Sequence, residues 1–392
     1  MIGSNQIKEE VKAIESRLIA WRRHLHANPE ISFKEYKTSE YLQEELKSVG
    51  INDFHVVCET GIYGFIGEGE ETIILRGDID ALPIQENNNV AYKSKEDGLM
   101  HACGHDVHST CLLGALSILK KYESDLPYRV MYVFQPGEEQ LPGGASLMIK
   151  EGIFDGVNAK MIIGQHVYPE LEVGKVAFKE GIYMASCDEL YISVQGKGGH
   201  GALPHKNIDP ILIGAHIVTA IQQMVSRHND PRIPTVVSIG EFIANGATNV
   251  CPDKAEMKGT IRTFNEEWRA DLHVKLIKLI KGIGESMGAE INVRIDKGYP
   301  YLENHIESTQ LLKSIAQKQL GEGHVQDLEI RMTAEDFSYY SQILPACFYR
   351  LGVRNESKGI TSSVHSPTFD IDERALSIGV EVFVASVMNT VF

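Results

Sequence analysis

Three short apolar runs in this chain each stop just before a polar side chain of metal-binding type, and this pattern constrains the fold more than any other feature. The run 72–75 leads into Asp78 and Asp80, the run 128–134 into Glu138 and Glu139, and the run 161–164 into His166. Short apolar runs alternating with longer amphipathic stretches read as βαβ units around a mostly parallel sheet flanked by helices. In open α/β sheets, ligands gather at the carboxyl ends of strands. One such sheet would therefore aim all these groups at one place.

A second pattern interrupts the first. Residues 188–195 alternate as a strand, 209–227 have helical spacing, 235–244 and 255–263 are strand-like, 266–287 are helical and 289–296 form a last strand. The order β-α-β-β-α-β is that of a ferredoxin-like unit. Being contiguous, 188–296 reads as a small α+β domain inserted into a larger α/β domain built from 1–187 and 297–392. The length of 392 residues fits two domains at roughly 150 residues each. Helices are also expected over 5–26, where Ile7, Val11, Ile14, Leu18 and Trp21 share one face, and over 34–49, 111–119 and 375–391.

Charge and cysteine content narrow the function classes. A formal net charge of −15 disfavours nucleic acid and anionic membrane as partners, since both reward clustered Lys and Arg. No apolar stretch approaches the ~20 residues of a bilayer span, and the first 18 residues lack the apolar core of a signal peptide. Six scattered cysteines without a CxxC pair are too sparse for a disulfide framework, so the expected compartment is the cytoplasm.

Cys103 stands apart from the other five cysteines, between His101 and His105 in HACGHDVH (residues 101–108). A thiolate persists at neutral pH chiefly beside a cation, and a metal supplies one. A lone Cys-x-His is more often a buried thiol with locally bonded histidines; the neighbouring acidic clusters reverse that reading. His101 and His108 fit structural roles better than ligation, and Asp106 could orient an imidazole from behind. In PGEEQ, Glu138 and Glu139 would repel each other unless a metal let them divide the work, one as ligand and one as the base that metal-assisted hydrolysis requires. Spacing alone does not say which is which. Asp78 and Asp80 suit support of the ligands better than ligation. His166 and His365 are weak signals individually. In the inserted segment, GKGGHGALPH presents His200 in a glycine-rich turn, and Asn249 and Arg262 follow; an arginine can grip a carboxylate through two parallel bonds.

These motifs resemble the aminoacylase and hippurate hydrolase branch of the co-catalytic metallopeptidases, relatives of carboxypeptidase G and succinyl-diaminopimelate desuccinylase. The likeness runs nearly end to end: WRRHLHANPEISFKEYKTSEYL, LRGDIDALPI, MHACGHDVHS, FQPGEEQLPGGA, GQHVYP, GKGGHGALPH, TNVCPD, AEDFSYY and VHSPTFDID. It implies a catalytic domain holding two divalent ions (manganese or zinc, with nickel or cobalt as other fillings) and an inserted lid that also serves as a homodimer surface. By motif, Cys103, His105, Glu139, His166 and His365 would be ligands, with Cys103 bridging the ions, and Glu138 would be the general base. His200 would stabilise the oxyanion, sometimes in a partner subunit's site, while Asn249 and Arg262 would hold the substrate carboxylate. Asp80 and Asp106 would stand behind the ligands. The implied reaction is amide hydrolysis of N-acyl amino acids; dipeptidase or aminopeptidase action and a non-catalytic binding role are the alternatives. More distant di-zinc relatives carry His-x-Asp where this chain has Asp78-Ile79-Asp80, and Thr333 replaces a usual glycine. The roles of Glu335 and Asp336 stay open.

Overall fold

The computed structural model describes residues 2–392 and divides them into two compact units. The first comprises residues up to 183, 303–330 and 336–392; the second comprises 184–302 with the short return 331–335.

In the first unit the chain runs α1 (Ser4–Ala27), α2 (Tyr36–Ser48), β1 (Phe54–Val57), β2 (Gly61–Ile66), β3 (Glu71–Asp78), α3 (His105–Lys121), β4 (Arg129–Gln135), α4 (Gly144–Lys150), β5 (Asn158–Glu172), β6 (Val176–Phe178) and β7 (Gly181–Met184). Two later strands, β15 (Val325–Asp327) and β16 (Ala346–Arg354), complete an eight-stranded sheet of order β1-β2-β4-β3-β5-β16-β6-β15. Its centre is parallel: β4 with β3, β3 with β5, and β5 with β16. Strands sandwiched on both faces must be apolar throughout, and β3 and β4 are buried along nearly their whole length.

Ile7, Val11, Leu18, Trp21 and Leu25 bury one stripe of α1 against α3 and α9 (Arg374–Met388). Helix α3 starts six residues before the apolar run that signals it, and everything from His105 to Leu119 is buried. Its first turn is polar in sequence yet enclosed, so apolar periodicity does not reveal where it begins. Register then sets the chemistry. Asp78 pairs with Gln135 and Arg76 with Gly164, so the end of β3, the end of β4 and His166 on β5 lie at one level.

The second unit contains β8 (Asp188–Gln195), β9 (Gly199–His200), α5 (Pro210–Gln223), β10 (Thr235–Ile243), β11 (Val250–Cys251), β12 (Lys254–Thr263), α6 (Glu266–Ser286) and β13 (Glu290–Lys297). The chain re-enters the first unit within β14 (Leu302–Asn304), followed by α7 (Ile306–Leu320), β15 (Val325–Asp327) and α8 (Ser338–Ser341). The separate sheet of the second unit, β10-β12-β8-β13, is antiparallel throughout, which is the ferredoxin-like order. Ile213, Ile217 and Ile221 of α5 and Leu272, Leu276 and Ile280 of α6 pack on Leu190, Ile192 and Val194 of β8. Asp209 caps α5 by accepting from the amides of Ile211 and Leu212, and Asn265 caps α6 through Trp268 N. The sequence suggests a single helix over 209–227, but the α-helix stops at Gln223 and a single wider turn covers Met224–His228. Among the described residues no helix is long and apolar enough to cross a membrane, and all six cysteines are free thiols.

One buried ion cluster fastens β8 to α6. Asp188 accepts from Arg269 Nε at 2.9 Å, His273 Nε2 at 2.7 Å and Gly298 N at 3.1 Å. Burial alone would raise its pKa; His273 and Arg269 outweigh that and hold it down at about 2. A depressed carboxylate stabilises the fold above its unfolded pKa and stops doing so as pH falls through the folded value. We therefore expect about 2 kcal/mol of stability to disappear between roughly pH 4 and pH 2. Thermal melts across that range should show it, and Asp188→Asn should be less stable near neutral pH and lose this part of the acid dependence. An unchanged pH profile in the variant would contradict the assignment.

Candidate metal centre

Helix α3 opens on Gly104, whose φ of +83° places it in the left-handed region that a side chain would strain. A Cβ there would also meet Val167 Cγ2 at 2.5 Å. This turn brings Cys103, just before the helix, and His105, at its first position, to the level reached by the strand ends. His105 Nδ1 donates to Asp80, with the backbone oxygen at 2.9 Å and Oδ1 at 3.0 Å. With Nδ1 committed to Asp80, Nε2 is the nitrogen that faces inward. His166 is set in the same way: its Nδ1 donates to Val167 O at 2.7 Å, and Nε2 faces Cys103 Sγ at 3.4 Å. His365 holds a left-handed φ of +59°, rare for a residue with a side chain, and its amide is tied to Ala102 O. Its Nε2 lies 3.1 Å from Glu139 Oε1, with half of its side chain exposed.

Five ligand-type residues thus converge, and they form two overlapping triads. Cys103, His105 and His166 present donor atoms within 4.8 Å of one another, and so do Cys103, Glu139 and His365. Cys103 belongs to both. His105 Nε2 is buried without a hydrogen-bond partner, a condition that costs roughly 1–3 kcal/mol unless something satisfies it, and Glu139 Oε1 is buried facing the His365 ring nitrogen.

Electrostatics points the same way. Cys103 and Glu139 raise the pKa of His365 to about 10, so positive charge is favoured between them. Burial and then Glu139 push the Cys103 thiol upward. Burial, with Arg350 and His108, drives the pKa of His166 well down and keeps it a neutral donor. Burial opposes charge on His105, but Asp78, Cys103 and Asp80 overcome it. Thiolate, imidazole and carboxylate donors gathered in two triads around the unsatisfied His105 Nε2 fit two divalent cations.

His108 is excluded as a ligand by its own bonds. Its Nδ1 is 2.6 Å from Asp78 Oδ1, and its Nε2 accepts from Val167 N at 2.9 Å. Asp78 is in turn bonded by Arg76 Nη1 at 2.5 Å. Asp106 also points away from the donors, taking Arg22 Nε at 2.9 Å and His26 Nδ1 at 2.8 Å, and its pKa is strongly lowered against burial by Arg22 and His26. Arg22 reaches Asp370 at 2.8 Å, five residues after His365. The pair therefore joins the segment of His105 to that of His365.

Glu138 has Oε1 3.3 Å from Asp336 N and Oε2 3.9 Å from His105 Nε2. Asp336, left without a role by sequence, accepts from Arg76 Nη2, Gln135 Nε2 and Ala145 N at 2.9 Å or less. It fastens the end of β4 to α4 on either side of the Glu138–Glu139 turn. The one sequence sign of this network is a charged Arg76 inside the apolar run TIILRGD. Because Arg76 neutralises both Asp78 and Asp336 out of reach of water, Arg76→Met should cost about 3–5 kcal/mol. A denaturant midpoint within error of wild type would refute that.

In the second unit, His200 and Asn249 are neighbours: β9 pairs with β11, and Gly201 N donates to Asn249 O at 2.8 Å. His200 Nδ1 accepts from Ala202 N at 3.1 Å, and both side chains are exposed. Arg262 stands elsewhere. It sits at the far end of β12 from the turn holding Asn249, about 26 Å along the strand from Lys254 at ~3.3 Å per residue, bonded to Thr260 Oγ1 and Ile261 O. Glu335 is buried and belongs to the return segment of this unit.

Comparison with known proteins places this geometry. Residues 74–389 match peptidase family M20/M25/M40. The chain belongs to that family. It is a metal-dependent hydrolase of the M20 group, in the amidohydrolase branch. It is 42% identical to an N-acyl-L-amino acid amidohydrolase of Geobacillus stearothermophilus over 77% of this chain and 82% of that protein. It is 38% identical to thermostable carboxypeptidase 2 of Saccharolobus solfataricus over 95% of each. A Bacillus subtilis structure described as a dinuclear metal-binding M20 peptidase superposes with a TM-score of 0.80 and 32% identity, covering 96% of this chain and 98% of that one.

Proposed function

We propose that this M20 hydrolase cleaves the amide bond of N-acyl amino acids. The observation that carries the chemistry is the pair of donor triads sharing Cys103, with Glu138 beside them. Cys103, His105 and His166 would hold one divalent ion, and Cys103, Glu139 and His365 the other. Bound there, such ions supply Lewis acidity that polarises a carbonyl and lowers the pKa of water towards 7. The chain's own part is proton transfer and positioning. Glu138, steadied by the Asp336 amide, takes the proton of the attacking water and returns it to the leaving nitrogen. Asp80 keeps His105 facing inward.

The substrate class rests on the likeness to the N-acyl-L-amino acid amidohydrolase and on a lid offering His200 for the oxyanion and Asn249 and Arg262 for a carboxylate. Since Arg262 lies at the opposite end of the lid sheet from His200 and Asn249, one small substrate can use all three only if two copies contribute. A homodimer through the lid follows from this reading. Mixed His200→Ala and Glu138→Gln copies, each inactive alone, should then recover up to about a quarter of wild-type activity, as random exchange between two-fold dimers gives. No recovery after verified exchange, either with this pair or with Arg262→Ala in place of His200→Ala, would remove the shared site.

The main test is amide hydrolysis by metal-stripped protein refilled separately with Mn²⁺, Zn²⁺, Co²⁺ or Ni²⁺. N-acetyl, N-benzoyl and long-chain acyl amino acids would be set against free dipeptides. Metal-dependent cleavage of blocked amino acids is the expected result. Cleavage of free dipeptides alone would make the protein a dipeptidase or aminopeptidase.

A further inference from the structure

Glu35 belongs to no triad and touches no donor atom, yet its carboxylate is fully buried beneath the turn that carries Glu138 and Glu139. Oε1 accepts from Gly137 N at 2.8 Å and from Phe33 N at 2.9 Å, and Oε2 accepts from Thr60 Oγ1 at 2.7 Å. Gly137 has a φ of +59°, and a Cβ on it would lie 2.3 Å from the Phe33 ring. Phe33 itself holds a left-handed φ of +64°, rare for an aromatic residue. A strained Phe33 and a left-handed Gly137 are thus locked face to face by one carboxylate. Two residues further on, Asp80 Oδ2 holds Glu139 N at 3.0 Å and Ser32 Oγ at 2.6 Å. The loop after α1 therefore grips the turn through both carboxylates.

We propose that Glu35 is a positioning residue for the hydrolytic site, fixing the backbone at Gly137 so that Glu138 and Glu139 face the donor cluster. This rests on the roles proposed above for those two acids. Loss of the grip frees Gly137 and Phe33 to leave the left-handed region together, which swings the acids that follow. Displacement of a catalytic group by about 1 Å can cost roughly 100-fold in rate. Burial and then Asp80 push the pKa of Glu35 up to about 7, so a neutral isostere is not foreign to its pocket. Glutamine keeps an acceptor for the Gly137 and Phe33 amides and can donate its amide to Thr60 Oγ1.

The test uses the full chain loaded with Mn²⁺, with two independent readouts on Glu35→Ala, Glu35→Asp and Glu35→Gln. Hydrogen exchange of the peptide spanning residues 134–144 should accelerate at least about tenfold in the alanine and aspartate variants, the latter because it retracts the carboxylate by one methylene. With the N-acyl amino acid that wild type turns over fastest, kcat should fall about 10–100-fold with KM within about threefold. Glu35→Gln should recover most of both. If the alanine variant does not fold, the aspartate variant carries the comparison. Unchanged exchange in the turn, or a glutamine variant as damaged as the aspartate one, would overturn the proposal. If wild type cleaves no N-acyl amino acid, the exchange result still decides the role of Glu35 and only the substrate reading falls.

Discussion

Glu138→Gln should bind metal as the wild type does and lose about 10²–10⁴-fold in kcat. The substitution is nearly isosteric. It preserves an oxygen for the Asp336 amide, which lies 3.3 Å from Oε1. What disappears is the ability to take a proton at neutral pH, so the effect should fall on kcat with KM little moved. Glu139→Gln is the informative contrast. Its Oε1 is buried against His365 and belongs to a donor triad, so its loss should lower metal content first. Metal analysis alongside kinetics separates the two neighbours. A fully active Glu138→Gln, or a Glu138→Gln stripped of metal while Glu139→Gln keeps it, would exchange or abolish the proposed roles.

Adjacent acids illustrate what a sequence can and cannot disclose here. The pair Glu138–Glu139 is conspicuous because it follows an apolar strand, and parallel strands deliver their carboxyl ends to one level; the same logic exposes His166. The inserted unit is legible because its periods alternate cleanly and its strands are contiguous. The start of α3 is not, because enclosure of a polar first turn comes from the sheet and helices around it. Nor are the partners that set each donor. His108 looks like a ligand in HACGHDVH until its two nitrogens are found committed to Asp78 and Val167. Asp336 and Glu35 lie about 200 and 100 residues from the turn they brace, and no local spacing links them to it. Arg262 and Asn249 sit close in sequence yet at opposite ends of β12, since a ten-residue strand running away from the turn separates them.

Cys103→Ala should have the largest effect on metal, because Cys103 is the one donor common to both triads. Loss of His166 removes a donor from the first triad, and loss of His365 removes one from the second. Each single histidine variant should therefore retain one tightly held ion, whereas Cys103→Ala should retain less than one per chain and fall to background turnover. The thiol also carries a pH signature. Burial holds it protonated without metal, and His365 beside it keeps its proton up to about pH 10. Loading must displace these protons, so affinity should rise with pH and binding should release acid. In Cys103→Ala the thiol's share of that release is gone. Cys103→Ser should behave like the alanine variant rather than like wild type, since a serine hydroxyl stays protonated where a thiol ionises. Isothermal titration in two buffers of different ionisation enthalpy counts the released protons, and elemental analysis counts the ions. The apo melting temperature of Cys103→Ala should stay close to that of apo wild type, while the rise in melting temperature on adding Mn²⁺ should largely vanish. Two ions bound to Cys103→Ala at wild-type affinity would mean that the triads do not share a ligand, and the bridging role would pass to a carboxylate.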